Sequence, residues 1–193
     1  MKKLVLLPLL AFFLSNFNAL SQKQFEVNGV IVPRNIEFQG RKLDLNGFGT
    51  RSKLWMDVYV QALYLTKLSQ DAKEICNSET EMGIRIQIIS SLVTSKKLSK
   101  ALNKGLLKSV GEKGIAKIKP QADILEKLIG REITKEGDSF NLIFNPADVS
   151  IWVYKNDKLE GKIAGFDFKK AFFGIWLSDD PVDDDLKNDL LGK

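Results

Sequence analysis

The chain has 193 residues, 44% hydrophobic and 27% charged, a balance that suits a folded domain with a full core and argues against wholesale disorder. Lys+Arg outnumbers Asp+Glu by 29 to 24, for a net charge of +5, and lysine carries the excess because arginine occurs only at 34, 41, 51, 85 and 131. There is no histidine and one cysteine, Cys76, which excludes Ser-His-Asp and Cys-His catalysis, His-ligated zinc, an internal disulfide and a Cys-x-x-Cys redox pair.

Met1-Lys2-Lys3 is a cationic start, Leu4–Leu14 is an apolar run, and Ala19-Leu20-Ser21 fits a small-x-small cleavage rule. This is the layout of a secretory signal peptide spanning 1–21, which leaves 22–193 as a single mature domain exported to a periplasm or the exterior. The run falls short of the roughly 20 apolar residues that a membrane span needs, and no later segment reaches that length, so no transmembrane anchor is expected after cleavage.

Phe25 to Leu65 reads as strands. Val30-Ile31-Val32 stops at Pro33, Lys42–Leu45 alternates, and Asn46-Gly47 marks a tight turn. Val58–Leu65 carries apolar residues on both faces, the pattern of a central strand covered on both sides. A short helix over Gln70–Cys76 and a strand over Gly83–Ile89 follow. The period then changes. Leu98, Leu102, Leu106 and Val110 make the apolar stripe of a helix with lysines 96, 97, 100, 104 and 108 between them, capped by Thr94 or Ser95 and ended by Gly111.

A second helix covers Pro120–Ile129, strands return at Ser139–Phe144 and Val149–Tyr154, and Asn156-Asp157 turns the chain into Leu159–Ile163. Phe166–Trp176 is an apolar helix, and Asp180-Pro181-Val182-Asp183 reads as the start of a last one, with Asp180 as its N-cap and Leu186, Leu190 and Leu191 as its stripe. Strands, helices, strands, helices without strict alternation predicts an α+β fold: a mainly antiparallel sheet with helices on one side.

Few segments carry chemistry. In Asn46-Gly47-Phe48-Gly49-Thr50-Arg51 the glycines allow close backbone approach and the strand aims one guanidinium along the sheet. Tyr59 is expected on the returning strand near the same end, and an arginine fork with a phenol hydroxyl suits a carboxylate or phenolate. The acidic group Asp179, Asp180, Asp183, Asp184 and Asp185 lacks a calcium-loop spacing and reads as helix N-terminal charge. The lysine face of the 95–110 helix lacks interleaved arginine and aromatics and reads as solvated, so no nucleic-acid partner is expected. No metal and no cofactor is implied, and Cys76 has no activating cation near it in sequence.

Four stretches in this order carry a resemblance: Gly29–Pro33 with Leu43–Arg51; Val58–Leu65; Ile163–Phe168; and Ala171–Val182 ending in Leu190-Leu191-Gly192. Together they resemble the chalcone isomerase-like family, specifically its exported bacterial branch, over about residues 26–192. The resemblance implies an open-faced β-sandwich, a large antiparallel sheet covered by a layer of helices, with a ligand cleft between the layers. Plant members of the family cyclise chalcones, and plastid relatives bind fatty acids.

By this resemblance Arg51 matches the arginine that faces the ligand's anionic group. Tyr59 falls where isomerases usually have threonine and the fatty-acid-binding relatives have tyrosine. The isomerases add a Tyr and an Asn around the first large helix; here Asn103 lies near that place and no tyrosine does. Their late Thr or Ser falls on Gly174. The expected function is binding of a fatty acid or similar amphipathic carboxylate in an apolar cleft, with Arg51 as the anionic anchor helped by Tyr59, Asn103 as a further candidate ligand-binding residue, and the cleft lined by Ile84, Ile86, Ile88, Leu98, Leu102 and Phe172. The alternatives are an intramolecular lyase acting on a small phenolic or enone substrate, and a non-catalytic scaffold whose cleft is filled by its own side chains.

Overall fold

The computed structural model describes residues 24–193; the expected leader, residues 1–21, lies outside the described residues. The fold is α+β, built on one antiparallel sheet of seven strands. A hairpin of β1 (Phe25–Val27) and β2 (Val30–Val32) precedes that sheet. The sheet itself is β3 (Asn35–Phe38), β4 (Arg41–Lys53), β5 (Met56–Leu65), β6 (Met82–Ile88), β7 (Ser139–Asn145), β8 (Ser150–Lys155) and β9 (Lys158–Ala164), paired in chain order. Helix α1 (Ala72–Asn77) sits between β5 and β6. Helices α2 (Ser95–Lys117) and α3 (Lys119–Gly130) lie between β6 and β7, and α4 (Phe166–Leu177) and α5 (Asp184–Leu190) follow β9.

The main core lies between the sheet and the helices. Alternation along the strands places Leu63, Ile84, Ile86, Leu142 and Val153 on that face, where Leu106, Leu125, Phe168, Phe172 and Trp176 meet them. The opposite face carries Val60, Ala62, Tyr64 and Ile143 under Val32 of the N-terminal hairpin. Tyr64 donates its hydroxyl to the Pro33 carbonyl at 2.9 Å, which ties that hairpin to the sheet. Strand β5 is thus covered on both faces, as its double apolar pattern predicts.

The structure corrects two local expectations. Asn46-Gly47 is not a turn: β4 runs through it for 13 residues with a bulge between Leu45 and Gly47, and the chain reverses at Leu54-Trp55. Asn46 is used instead to tie ends together, donating to the carbonyls of Ser69 and Leu190, both at 2.9 Å. Gly111 does break the first long helix as expected: at φ 67° and ψ 177° its backbone is not helical, and a second helical stretch runs on from it to Lys117. The N-cap of α5 is Asp183, whose carboxylate accepts from the Leu186 N–H at 3.0 Å, not Asp180.

One buried cation holds a helix end. The Lys169 ammonium donates to the carbonyls of Ile75 at 3.1 Å, Cys76 at 2.9 Å and Ser78 at 2.7 Å, closing the C-terminus of α1. Burial pushes its pKa down to about 8, still high enough for the proton to stay at neutral pH. The Cys76 thiol beside it is pushed up to about 11 by burial, which keeps it protonated and inert.

Candidate functional site

The site starts at a cross-strand pair. Arg51 on β4 and Tyr59 on β5 stand directly opposite each other in the ladder, on the face toward the helices. A second bulge between Arg51 and Ser52 re-aims the strand at this point. The sequence places the two residues near one sheet end; the structure makes them neighbours.

The glycines preceding Arg51 are explained by the last helix. A Cβ on Gly47 would overlap the backbone carbonyl of Asp189, and one on Gly49 would overlap the Asp189 side chain. Their absence lets α5 settle on β4, and the N-cap of α5 then reaches Arg51. The Arg51 Nη1 donates to Asp183 Oδ2 at 2.6 Å and also to the Ser52 carbonyl. The same Asp183 carboxylate therefore caps a helix with one oxygen and holds the guanidinium with the other. Nε and Nη2 of Arg51 make no hydrogen bond to any described residue.

Tyr59 is 8% exposed, and its hydroxyl meets the indole of buried Trp176 on α4 at 3.2 Å. An indole N–H only donates, so the phenol oxygen is the acceptor and keeps its own proton to donate elsewhere. Burial pushes the Tyr59 hydroxyl up to about 12; the Trp176 hydrogen bond and the Arg51 charge pull the other way without offsetting it. Tyr59 is thus a neutral donor at any physiological pH, unfit to act as a base.

Arg51, Tyr59 and Trp176 line a cavity of about 720 Å³ between the β4–β5 hairpin and helices α2 and α4. Its other walls are mainly apolar, with Val58 and Met56 from the sheet, Leu98 and Leu102 from α2, and Ile175 and Val182 from the α4 side. Gly105 lets α2 approach α4 closely at the floor: a Cβ there would stand 2.6 Å from Ile175 Cγ2. No acidic side chain lines the cavity, and lysines 53, 97, 100, 104 and 108 ring it. Among the described residues no cluster of acidic, Cys or His side chains could hold a metal ion. No helix among them is long and apolar enough to cross a membrane.

The family then follows from the sequence pattern. The chalcone isomerase-like pattern matches residues 24–192. The chain belongs to the chalcone isomerase-like family. Among solved structures this chalcone isomerase-like chain is similar to a fatty-acid binding protein from Arabidopsis thaliana. The TM-score is 0.69 at 16% identity, over 85% of this chain and 92% of the plant one. At that identity the likeness speaks for the fold. A comparison with curated protein sequences finds no match.

Within this chalcone isomerase-like chain, the predicted site residues separate. Arg51 and Tyr59 are brought together at the cavity. Asn103 is not: its amide donates to Glu126 on α3 at 2.7 Å, away from the cavity wall. Of the apolar lining expected, Leu98 and Leu102 face the cavity, whereas Ile84, Ile86, Ile88 and Phe172 are sealed in the core. Gly174 faces Ser109, not the cavity. Trp176 and Asp183 were not singled out as site residues. Trp176 sits in the Phe-Gly-Ile-Trp-Leu segment, so its presence was visible, but its bond to Tyr59 spans 117 residues and leaves no local signal.

Proposed function

We propose that the protein binds a fatty acid or similar amphipathic carboxylate in this cavity, with Arg51 as the anionic anchor and Tyr59 as a second donor. The observation that carries the reading is an apolar chamber of about 720 Å³ with a guanidinium and a protonated phenol side by side in its wall. That volume is in the range of small-molecule sites, about 300–1,000 Å³. An acyl tail gains by leaving water, at about 0.8 kcal/mol for each buried CH₂. The carboxylate would take the free Nε and Nη2 donors of Arg51 and the proton of Tyr59. The fatty-acid binding neighbour supports this reading through a shared fold.

Two other readings are less well supported. Ring closure of an enone asks for hydroxyls that hold a polarising water, and the late position that would supply one is Gly174, turned toward Ser109. A cleft plugged by its own side chains does not accord with a chamber of this size. We place the protein outside the cytoplasm, periplasmic or secreted, on the strength of the Met1–Ser21 leader layout.

The test compares a long-chain fatty acid with the alcohol of the same tail by displacement of a fluorescent acyl probe. The proposal expects the acid to bind about tenfold or more tighter than the alcohol. Equal affinity removes the anionic anchor; no displacement by either removes the cavity as an acyl site.

A further inference from the structure

The reversal that joins β4 to β5 has an unusual composition. Lys53 and Met56 pair across it, so Leu54 and Trp55 are its two central residues, with φ 47° and 58°. Two-residue connections of this hand favour Asn-Gly, because L side chains are strained in the left-handed region. Here two large apolar side chains sit there and gain little packing in return: Trp55 is 92% exposed and Leu54 67%. Met56 and Leu92 are exposed as well, and of the eleven large apolar side chains exposed among the described residues three, Leu54, Met56 and Leu92, line the cavity mouth, with Trp55 next to Leu54 and Met56 at the tip.

The charged side chains that line the cavity mouth have one sign; the acid at the tip, Asp57, faces Ser52 and Asn28, whose side chains it accepts from at 2.6 and 3.0 Å. The five lysines at the mouth have no acidic residue among the cavity-lining side chains, and Lys53, Lys100 and Lys104 make no ion pair with any described residue. Lys108 is held by Asp180 at 2.8 Å and Lys97 by the Leu92 carbonyl at 2.9 Å. A protein partner's interface is ordinarily poor in lysine and favours arginine over it. A protruding tryptophan flanked by flexible ammonium groups instead matches the headgroup layer of an anionic bilayer, where an indole is stable at the water boundary and each lysine gains from the surface potential.

We propose that the Leu54-Trp55 tip and the lysine ring dock this protein, cavity mouth first, on anionic phospholipid membrane. Trp55 enters the headgroup region and the lysines contact phosphate. The docking needs no ligand. Joined to the acyl-binding reading, on which this second step rests, it lets an acyl chain pass between bilayer and cavity without crossing bulk water.

The test is co-flotation of the protein, as purified from its producing cell with the N-terminus read by intact mass, on phosphatidylcholine vesicles with and without phosphatidylglycerol. Wild type is expected to float with the phosphatidylglycerol vesicles, to stay behind with phosphatidylcholine alone, and to be released by salt. Vesicle addition should shift its tryptophan emission to the blue, and Trp55→Phe should abolish the shift. Lys100→Glu and Lys104→Glu should each weaken binding by at least about fivefold. Trp55→Gly should weaken it by about tenfold while leaving the melting temperature unchanged or higher, because glycine suits φ 58°. That variant separates a membrane role from a folding one. Equal flotation of Trp55→Gly and wild type, or no flotation of wild type on either vesicle, overturns the proposal. Flotation that persists when no fatty acid binds in vesicle-free solution keeps the docking and discards the acyl-binding reading.

Discussion

At the scale of single residues the account turns on how Arg51 divides its donors. Asp183 holds Nη1, so a ligand carboxylate shares the guanidinium with an internal competitor. Asp183→Asn keeps a good N-cap for α5 while removing that charge. It is expected to raise fatty-acid affinity several-fold with little change in melting temperature, measured by probe displacement; lower affinity would mean that Asp183 positions Arg51 rather than competing for it. Tyr59 gives a pH prediction. Its hydroxyl is pushed up to about 12 in the fold against about 10 in the unfolded chain, so the folded state holds the proton more tightly. That stability is present in full below pH 10 and is lost as pH rises toward 12. Tyr59→Phe should therefore flatten the fall in stability between pH 10 and 12, read as the difference from wild type in urea unfolding; parallel curves for the two proteins would show that the hydroxyl is not held in this way.

At the scale of elements the site depends on α5 lying flat on β4. Gly47→Ala places a methyl against the backbone of Asp189, which cannot move without lifting the helix. The expected cost is about 1–3 kcal/mol in urea unfolding, with loss of the Arg51–Asp183 contact. Lys169→Met should cost on the order of 3 kcal/mol, because three carbonyls at the end of α1 lose their donor together. Most elements were legible from their apolar pattern: the Leu98–Leu106 stripe announces one face, and the unbroken apolar runs of Val58–Leu65 and Phe166–Trp176 announce elements buried nearly all round. The failures have a common cause. Asn46-Gly47 looks like a turn to any local rule, yet its role is set by α5, more than 140 residues later. That Arg51 and Tyr59 lie near one sheet end was readable from the sequence, but their direct pairing was not, and Asp183 and Trp176 reach them through helix packing that no spacing encodes. Asn103 was placed by resemblance, and a shift of one residue, about 100° around the helix, decides whether such a residue faces a cavity or Glu126.

At the scale of the whole molecule, sheet and helices pack through a solid core and leave an open cavity at the β4–β5 end, ringed with positive charge. Binding that selects the folded state must stabilise it. Fatty acid at about a hundred times its dissociation constant should add about 2.7 kcal/mol, or roughly 5–10 °C in melting temperature for a chain of this length. An unchanged melting temperature in saturating fatty acid would count against an internal site. The central claim is that the Arg51 guanidinium fixes a carboxylate whose tail lies in the chamber. Calorimetric titration of a long-chain fatty acid into wild type and Arg51→Ala tests it most directly: saturable binding by wild type with affinity at least about tenfold lower in the variant is the predicted result, and indistinguishable isotherms for the two proteins would contradict it.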